Sequence, residues 1–180
     1  HKLNRISKSS VAHSTLILNN KSASTFKKKG GQNILENGLK SFNTNIIFEK
    51  NLWSIKSSHN GYLKEFGTIH ERTLEFLPEL DKFLGKDKLI KKKNFKPTSF
   101  EIRFHLVPNS KVTKTQDNRT VLIELENSGW RFFTNYGLID VETGLYFGKK
   151  NSYSENQNIF ISGNTQKEDQ LIEWEIIKIQ

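Results

Sequence analysis

Apolar and polar side chains alternate through much of this chain with a period of two. In Phe100-Glu101-Ile102-Arg103-Phe104-His105-Leu106, every second residue is apolar and those between are charged or polar. Successive side chains of a strand point to opposite faces, so this pattern predicts a strand with one buried face and one wet face. Ile172-Glu173-Trp174-Glu175-Ile176 repeats it. Further strands are predicted at 13–18, 45–50, 53–58, 69–76, 120–125, 130–134 and 159–162. Turn-forming residues fall between them: Asn19-Asn20, Asn60-Gly61, Asp117-Asn118, Ser128-Gly129 and Ser162-Gly163-Asn164. No long segment carries the 3.6-residue period of an amphipathic helix. Many short strands at even spacing predict an all-β fold, an antiparallel β-sandwich of roughly ten or more strands. Ile102, Phe104, Leu106, Ile172, Trp174 and Ile176 are expected in its core.

Residues 30–40 are polar and contain Asn37-Gly38, which predicts a loop or distorted hairpin. With no long linker and no repeat of solenoid period, residues 1–180 read as a single domain. Its 180 residues, 34% of them hydrophobic, suffice for one core. No apolar run reaches the length of a membrane span, and the start lacks a signal-peptide core. The chain has no cysteine, which excludes disulfides and thiolate metal sites. It has no methionine and starts at His1, so a fragment or a processed chain is expected.

Charge changes the picture more. The net charge is +9 and the pI about 9.6, an excess that favours polyanionic partners such as acidic polysaccharide, nucleic acid or an anionic membrane surface. Lys27-Lys28-Lys29 and Lys91-Lys92-Lys93 read as solvated loop lysines. No RNP-like strand pair, recognition helix, zinc finger, phosphate loop or nucleophile elbow is present, so no specific nucleic-acid or nucleotide chemistry is expected.

The candidate chemistry centres on His59-Asn60-Gly61-Tyr62 and, one strand later, Ile69-His70-Glu71-Arg72-Thr73. Asn-Gly favours a type I′ hairpin turn, which would leave His59 and Tyr62 at the surface. By parity His70, Arg72, Leu74 and Phe76 share one face. A histidine and an arginine in line with core residues are costly to bury without partners. Either they stand at the sheet's rim and meet a ligand, or they pair internally with an acidic residue such as Asp81 or Asp87. His13 is a candidate metal ligand, but the nearest acidic residue in sequence is Glu36, and a hydrogen-bonded structural histidine is the simpler reading. Trp53 and Trp130 each open a strand, where exposure would suit stacking on sugar rings, whereas Trp174 and Phe104 belong to the core.

These pieces resemble the C-terminal region of heparinase II/III-like polysaccharide lyases. The resemblance runs from about Arg5 to the C-terminus. It is carried by the segments R-I-S-K-S-S-V-A-H-S-T, H-N-G-Y, I-H-E-R-T, Phe83-Leu84-Gly85-Lys86-Asp87-Lys88-Leu89, F-E-I-R-F-H-L-V-P and Gly129-Trp130-Arg131-Phe132, in that order. It implies a sandwich of the super-sandwich type, joined in the full protein to an N-terminal helical toroid that this chain lacks and that would be its partner. The activity implied is β-elimination on uronic-acid glycans, with acidic polysaccharide as substrate and a periplasmic or secreted location. The base, the carboxylate neutraliser and a further histidine would precede His1, so no complete catalytic set is expected here. His59, Tyr62, His70 and Arg72 are the implied cleft residues. His13 would be one ligand of a zinc or other divalent-metal site in the full-length protein, pointing into the sandwich without its upstream partners. Ser14 departs from the Asn common in relatives. A stand-alone binding module for acidic polysaccharide is the alternative.

Overall fold

The computed structural model of the protein describes residues 6–148 and 152–179. Among the described residues fourteen strands follow in chain order: β1 (Leu16–Leu18), β2 (Thr25–Lys29), β3 (Gln32–Asn37), β4 (Ser41–Phe48), β5 (Trp53–His59), β6 (Thr68–Leu77), β7 (Lys82–Lys91), β8 (Ser99–His105), β9 (Lys111–Lys114), β10 (Thr120–Leu125), β11 (Ser128–Thr134), β12 (Ile139–Tyr146), β13 (Ser154–Asn164) and β14 (Gln170–Lys178). A single-turn helix, α1 (Leu63–Phe66), joins β5 to β6. All strand pairs are antiparallel. One sheet has the order β1-β8-β13-β12, and the other β4-β5-β6-β7-β14-β11-β10-β9. The fold is therefore the β-sandwich that the alternation predicts.

The two sheets meet through the dry faces of their strands. Leu16, Leu18, Phe100, Ile102, Phe104, Ile159 and Ile161 of the smaller sheet form one buried cluster with Val121, Ile123, Phe132, Ile172 and Trp174 of the larger. The Phe104 ring stands edge-on to both Phe132 and Trp174, with centroids 4.7 Å away in each case, an arrangement aromatic pairs favour. Phe104 and Trp174 are core, as their parity requires, and Leu106 and Ile176 are partly buried at its margin.

Several expectations are refined or corrected. Residues 30–40 follow the hairpin alternative: β2 and β3 form a separate hairpin with a register shift between Thr25 and Phe26, turned by Gly30 and Gly31 at φ 58° and 79°, a left-handed pair that glycine adopts without steric cost. Lys27–Lys29 consequently lie on an exposed strand. The strand expected from His13 starts only at Leu16, after a 3-10 turn over Ser10–Ala12. Asn60-Gly61 is not a type I′ turn, because neither residue has the positive φ such a turn demands. Instead the chain makes α1 there and closes it with Gly67 at φ 62°. Gly61 serves close approach: a Cβ would lie 2.6 Å from the carbonyl oxygen of Ala23.

Candidate functional site

Cross-strand register decides which side chains meet. His59 of β5 lies opposite His70 of β6, and Ser57 opposite Arg72. Arg72 in turn faces Asp87 of β7, which faces Ile172 of β14. Residues directly opposite one another share a face, so His59, His70, Arg72 and Asp87 all project on the core-facing side of the larger sheet.

Asp87 is fully buried, a placement costing several kcal/mol for an uncompensated carboxylate. The compensation is complete. Oδ1 accepts from His70 Nε2 at 2.6 Å and from Arg72 Nε at 2.7 Å. Oδ2 accepts from Arg72 Nη2 at 2.9 Å and from the Trp174 indole at 2.9 Å. Arg72 is thus bidentate, the geometry for which its planar fork is suited. Burial alone would raise the Asp87 pKa, but the Arg72 guanidinium and the His70 bond outweigh it and hold the carboxyl well below the usual carboxylate range. Arg72 also donates through Nη1 to the Ser14 carbonyl, tying this cluster to the segment leading into β1. Trp174 can reach Asp87 because its neighbour on β7 is Gly85. A Cβ at that position would lie 2.1 Å from the indole.

The histidines form a directed chain. The backbone N–H of Gly61 donates to Nδ1 of His59 at 3.2 Å, so that nitrogen carries no proton. Nε2 of His59 then holds the ring proton and donates to Nδ1 of His70 at 3.0 Å, leaving the proton of His70 on Nε2, directed at Asp87. Burial, reinforced by the neighbouring His70 and Arg72, lowers the His59 pKa from 6.5 to about 4. Every ring nitrogen in the chain is consumed by a neighbour. An open depression of about 230 Å³ adjoins it, lined by Thr15, Ser41, Ser57, His59, His70 and Arg72 among others.

The structure therefore brings His59, His70 and Arg72 together and selects Asp87 as the internal partner; Asp81 instead pairs with Lys178 at 3.7 Å. Tyr62 is not at the surface. It is almost fully buried, and its hydroxyl donates to the carbonyls of Leu16 and Lys21 at 3.1 and 3.2 Å. Burial pushes its pKa up to about 12. His13 does not point into the sandwich: it is exposed, at the end of the 3-10 turn. The residues around it do not fit a metal centre. The nearby imidazole, His105, donates through Nε2 to the Val11 carbonyl at 3.0 Å, and no group of three or more histidines and acids able to hold a metal occurs among the described residues. Trp53 is exposed, and Trp130 packs at the core margin. The Trp174 indole, Gly85 and the Ser14 carbonyl were not legible as members of the site. Asp87 had a signal, since it shares inward parity with Gly85 and Leu89.

Among the described residues no helix is long and apolar enough to cross a membrane. No curated protein matches the chain. Two solved structures of a heparinase III gene product, one with methylated lysines, superpose with a TM-score of 0.72 each at 13% identity. They cover 99% and 98% of this chain, which spans 25% of their length; at that identity the likeness establishes the fold. The family described as heparinase II/III-like, C-terminal, matches residues 1–175. With nearly the whole sequence matched and the same fold, the chain belongs to the heparinase II/III-like family, as its C-terminal region.

Proposed function

We propose that residues 1–180 are the C-terminal sandwich of a polysaccharide lyase acting on uronic-acid-containing glycans, and that the domain supports the cleft without moving the reacting protons. In β-elimination a base takes the C5 proton. The electron pair left behind forms the C4–C5 double bond as the C4–O4 bond breaks, and an acid protonates the departing O4. A neutralised uronate carboxylate makes the C5 proton removable.

The observation that carries the supporting role is the saturation of the site. Both nitrogens of His59 and of His70 are occupied, both Asp87 oxygens take two donors, and the Tyr62 hydroxyl proton is spent on the carbonyls of Leu16 and Lys21. A general base needs a free lone pair within reach of substrate; the ring nitrogens and the carboxylate have none to offer, and the Tyr62 phenol is held protonated against its two carbonyls. What the cluster does is fix β5, β6, β7 and β14 to the start of β1, giving the depression beside Arg72 a rigid wall. The +9 charge raises the local concentration of an acidic glycan. Zinc or another divalent ion, if the full-length protein holds one, would need ligands from outside this chain besides His13.

The test is an elimination assay on heparan sulfate and alginate with the longest polypeptide encoded in frame around residues 1–180. Accumulation of unsaturated uronate is expected, and no product from any uronate glycan would end the reading. The second reading, a binding module for acidic polysaccharide, is favoured by the exposed Lys27, Lys28 and Lys29 on β2. It predicts salt-sensitive glycan binding by residues 1–180, undiminished when the surrounding polypeptide is inactive.

A further inference from the structure

Antiparallel strands put successive connections at opposite ends of the sandwich, and the two ends differ in charge. At one end, residues 19–24, 60–67, 91–98 and 165–169 hold seven lysines against three acids, a net of +4. At the other, the turns 49–52, 78–81 and 126–127 hold one lysine against four acids, a net of −3. A chain merely rich in lysine would load both ends alike. All seven lysines of the basic end are exposed. Lys21 pairs with Glu65, and Asp169 is taken by Lys88 at 3.8 Å. Lys64, Lys91, Lys92, Lys93, Lys96 and Lys167 pair with no acid among the described residues.

Backbone bonds hold these segments together. The N–H of Lys92 donates to the Gly67 carbonyl at 2.8 Å and that of Lys96 to the Phe66 carbonyl at 3.0 Å, which clasps the 91–96 loop onto α1. The contact is close, since a Cβ on Gly67 would lie 2.3 Å from the Asn94 carbonyl carbon. Asp169 Oδ1 accepts from the Lys91 N–H at 2.9 Å, and the Thr165 N–H donates to the Thr98 carbonyl at 2.8 Å. The lysine run that reads from sequence as solvated is thus part of a fixed basic surface built from separate parts of the chain. The depression beside Arg72 does not supply such charge, because Arg72 is spent on Asp87 and the Ser14 carbonyl. We propose that this end of the sandwich is an anchoring surface for an acidic polysaccharide, which holds a sulfated or carboxylated chain outside the depression.

The make-up of the surface favours a glycan over other polyanions. These four segments contain no arginine, the residue best matched to phosphate. Of their rings, Tyr62 and Phe66 are buried. Phe95 is half-buried with Lys91 Nζ 5.3 Å from its centroid, which leaves no ring face for stacking a base. The single turn of α1 has no long apolar face to enter a bilayer. Lysine ammonium groups are point charges on flexible stems, and a pliant chain of carboxylates or sulfates meets them without fixed geometry. The choice of a glycan rests on the reading of the chain as a lyase domain; the existence of the basic surface does not.

The experiment measures binding of the longest polypeptide encoded in frame around residues 1–180. Its probes are dextran sulfate, which has no uronate to eliminate, heparan sulfate and alginate, with neutral dextran as blank. Lys92→Gln/Lys93→Gln/Lys96→Gln should weaken binding roughly tenfold or more at low salt and flatten its salt dependence, as lost ion contacts do. Lys50→Gln/Lys111→Gln/Lys178→Gln removes the same charge towards the opposite end and should change binding less than about twofold. Lys92→Arg/Lys93→Arg/Lys96→Arg keeps the charge and should keep the affinity, which separates charge from misfolding. Equal loss in the two glutamine triples overturns the proposal, since net charge alone would then act. So does unaltered binding in the first triple, or no binding to any acidic glycan. Tighter binding of duplex DNA or of anionic vesicles at these lysines overturns it in favour of those partners. Elimination assayed on the same samples keeps the two readings apart. Binding lost in the first triple, from a polypeptide that makes no unsaturated uronate, upholds this inference and ends the proposed function; elimination with binding unaltered in that triple does the reverse.

Discussion

Replacing Asp87 by Asn removes one charge and almost no volume, and it isolates the cost of the buried ion pair. The carboxylate accepts four hydrogen bonds, two on each oxygen. An amide can accept only on its oxygen, so at least two of the four donors would face an NH2 group. With the oxygen turned towards His70 and Arg72 Nε, the Arg72 Nη2 and the Trp174 indole lose their acceptor. With it turned the other way, His70 and Arg72 Nε lose theirs. Arg72, held against the core with its partner gone, becomes an uncompensated cation. Breaking one side of a buried pair costs about 3–5 kcal/mol. At about 2–4 °C per kcal/mol for a domain of this size, the melting temperature should fall by roughly 10 °C. Thermal melts followed by near-ultraviolet circular dichroism at pH 7 measure it, with the environment of Trp174 as an internal reporter. Asp81→Asn is the control, since its contact with Lys178 at 3.7 Å is solvent-exposed and worth under about 1 kcal/mol. If the two variants melt together, the Asp87 cluster is not what fixes this end of the sandwich.

Two further outcomes follow from the same geometry. His59 has a folded pKa below its unfolded value, about 4 against 6.5, so its neutral form is what the fold favours. Stability is therefore complete above pH 6.5 and falls as the pH drops towards 4, by at most about 1.4 kcal/mol per pH unit before allowance for its partial exposure. Denaturant titrations across that window should show the slope, and His59→Gln should flatten it. Asp87, whose pKa is depressed, contributes its own loss only at more acid pH. Gly85→Ala sets a methyl against an indole pinned by its bond to Asp87, and should cost about 1–3 kcal/mol by overpacking in the same titration; a neutral result would show that Trp174 is free to move.

The sequence made the covered half of the sandwich legible because burial there is one-sided. Phe100–Leu106 and Ile172–Ile176 alternate strictly, as a strand between core and solvent must. The β2–β3 segment was legible only as a loop or distorted hairpin, for the complementary reason: its residues are largely exposed on both faces, so no alternation marks its strands. In the candidate site, parity placed His70 and Arg72 on the core side and narrowed their partner to Asp81 or Asp87. Choosing between these needed the β6–β7 register, which depends on the turn at Pro78–Leu80. Tyr62 was misplaced because Asn60-Gly61 carries a strong hairpin signal, overridden by tertiary contact. Gly61 packs on Ala23, and Tyr62 turns inward to satisfy two carbonyls. Metal ligation by His13 came from the resemblance alone, and the structure gives that histidine an exposed position.

The central claim is that this domain holds a lyase cleft in shape while the reacting groups lie elsewhere in the polypeptide. Ultraviolet absorbance of the unsaturated uronate tests it most directly, with residues 1–180 alone and the longer encoded polypeptide compared on the same glycans. The account predicts product from the longer polypeptide and none from residues 1–180. Turnover by residues 1–180, abolished by alanine at His59, Tyr62 or His70, would contradict it.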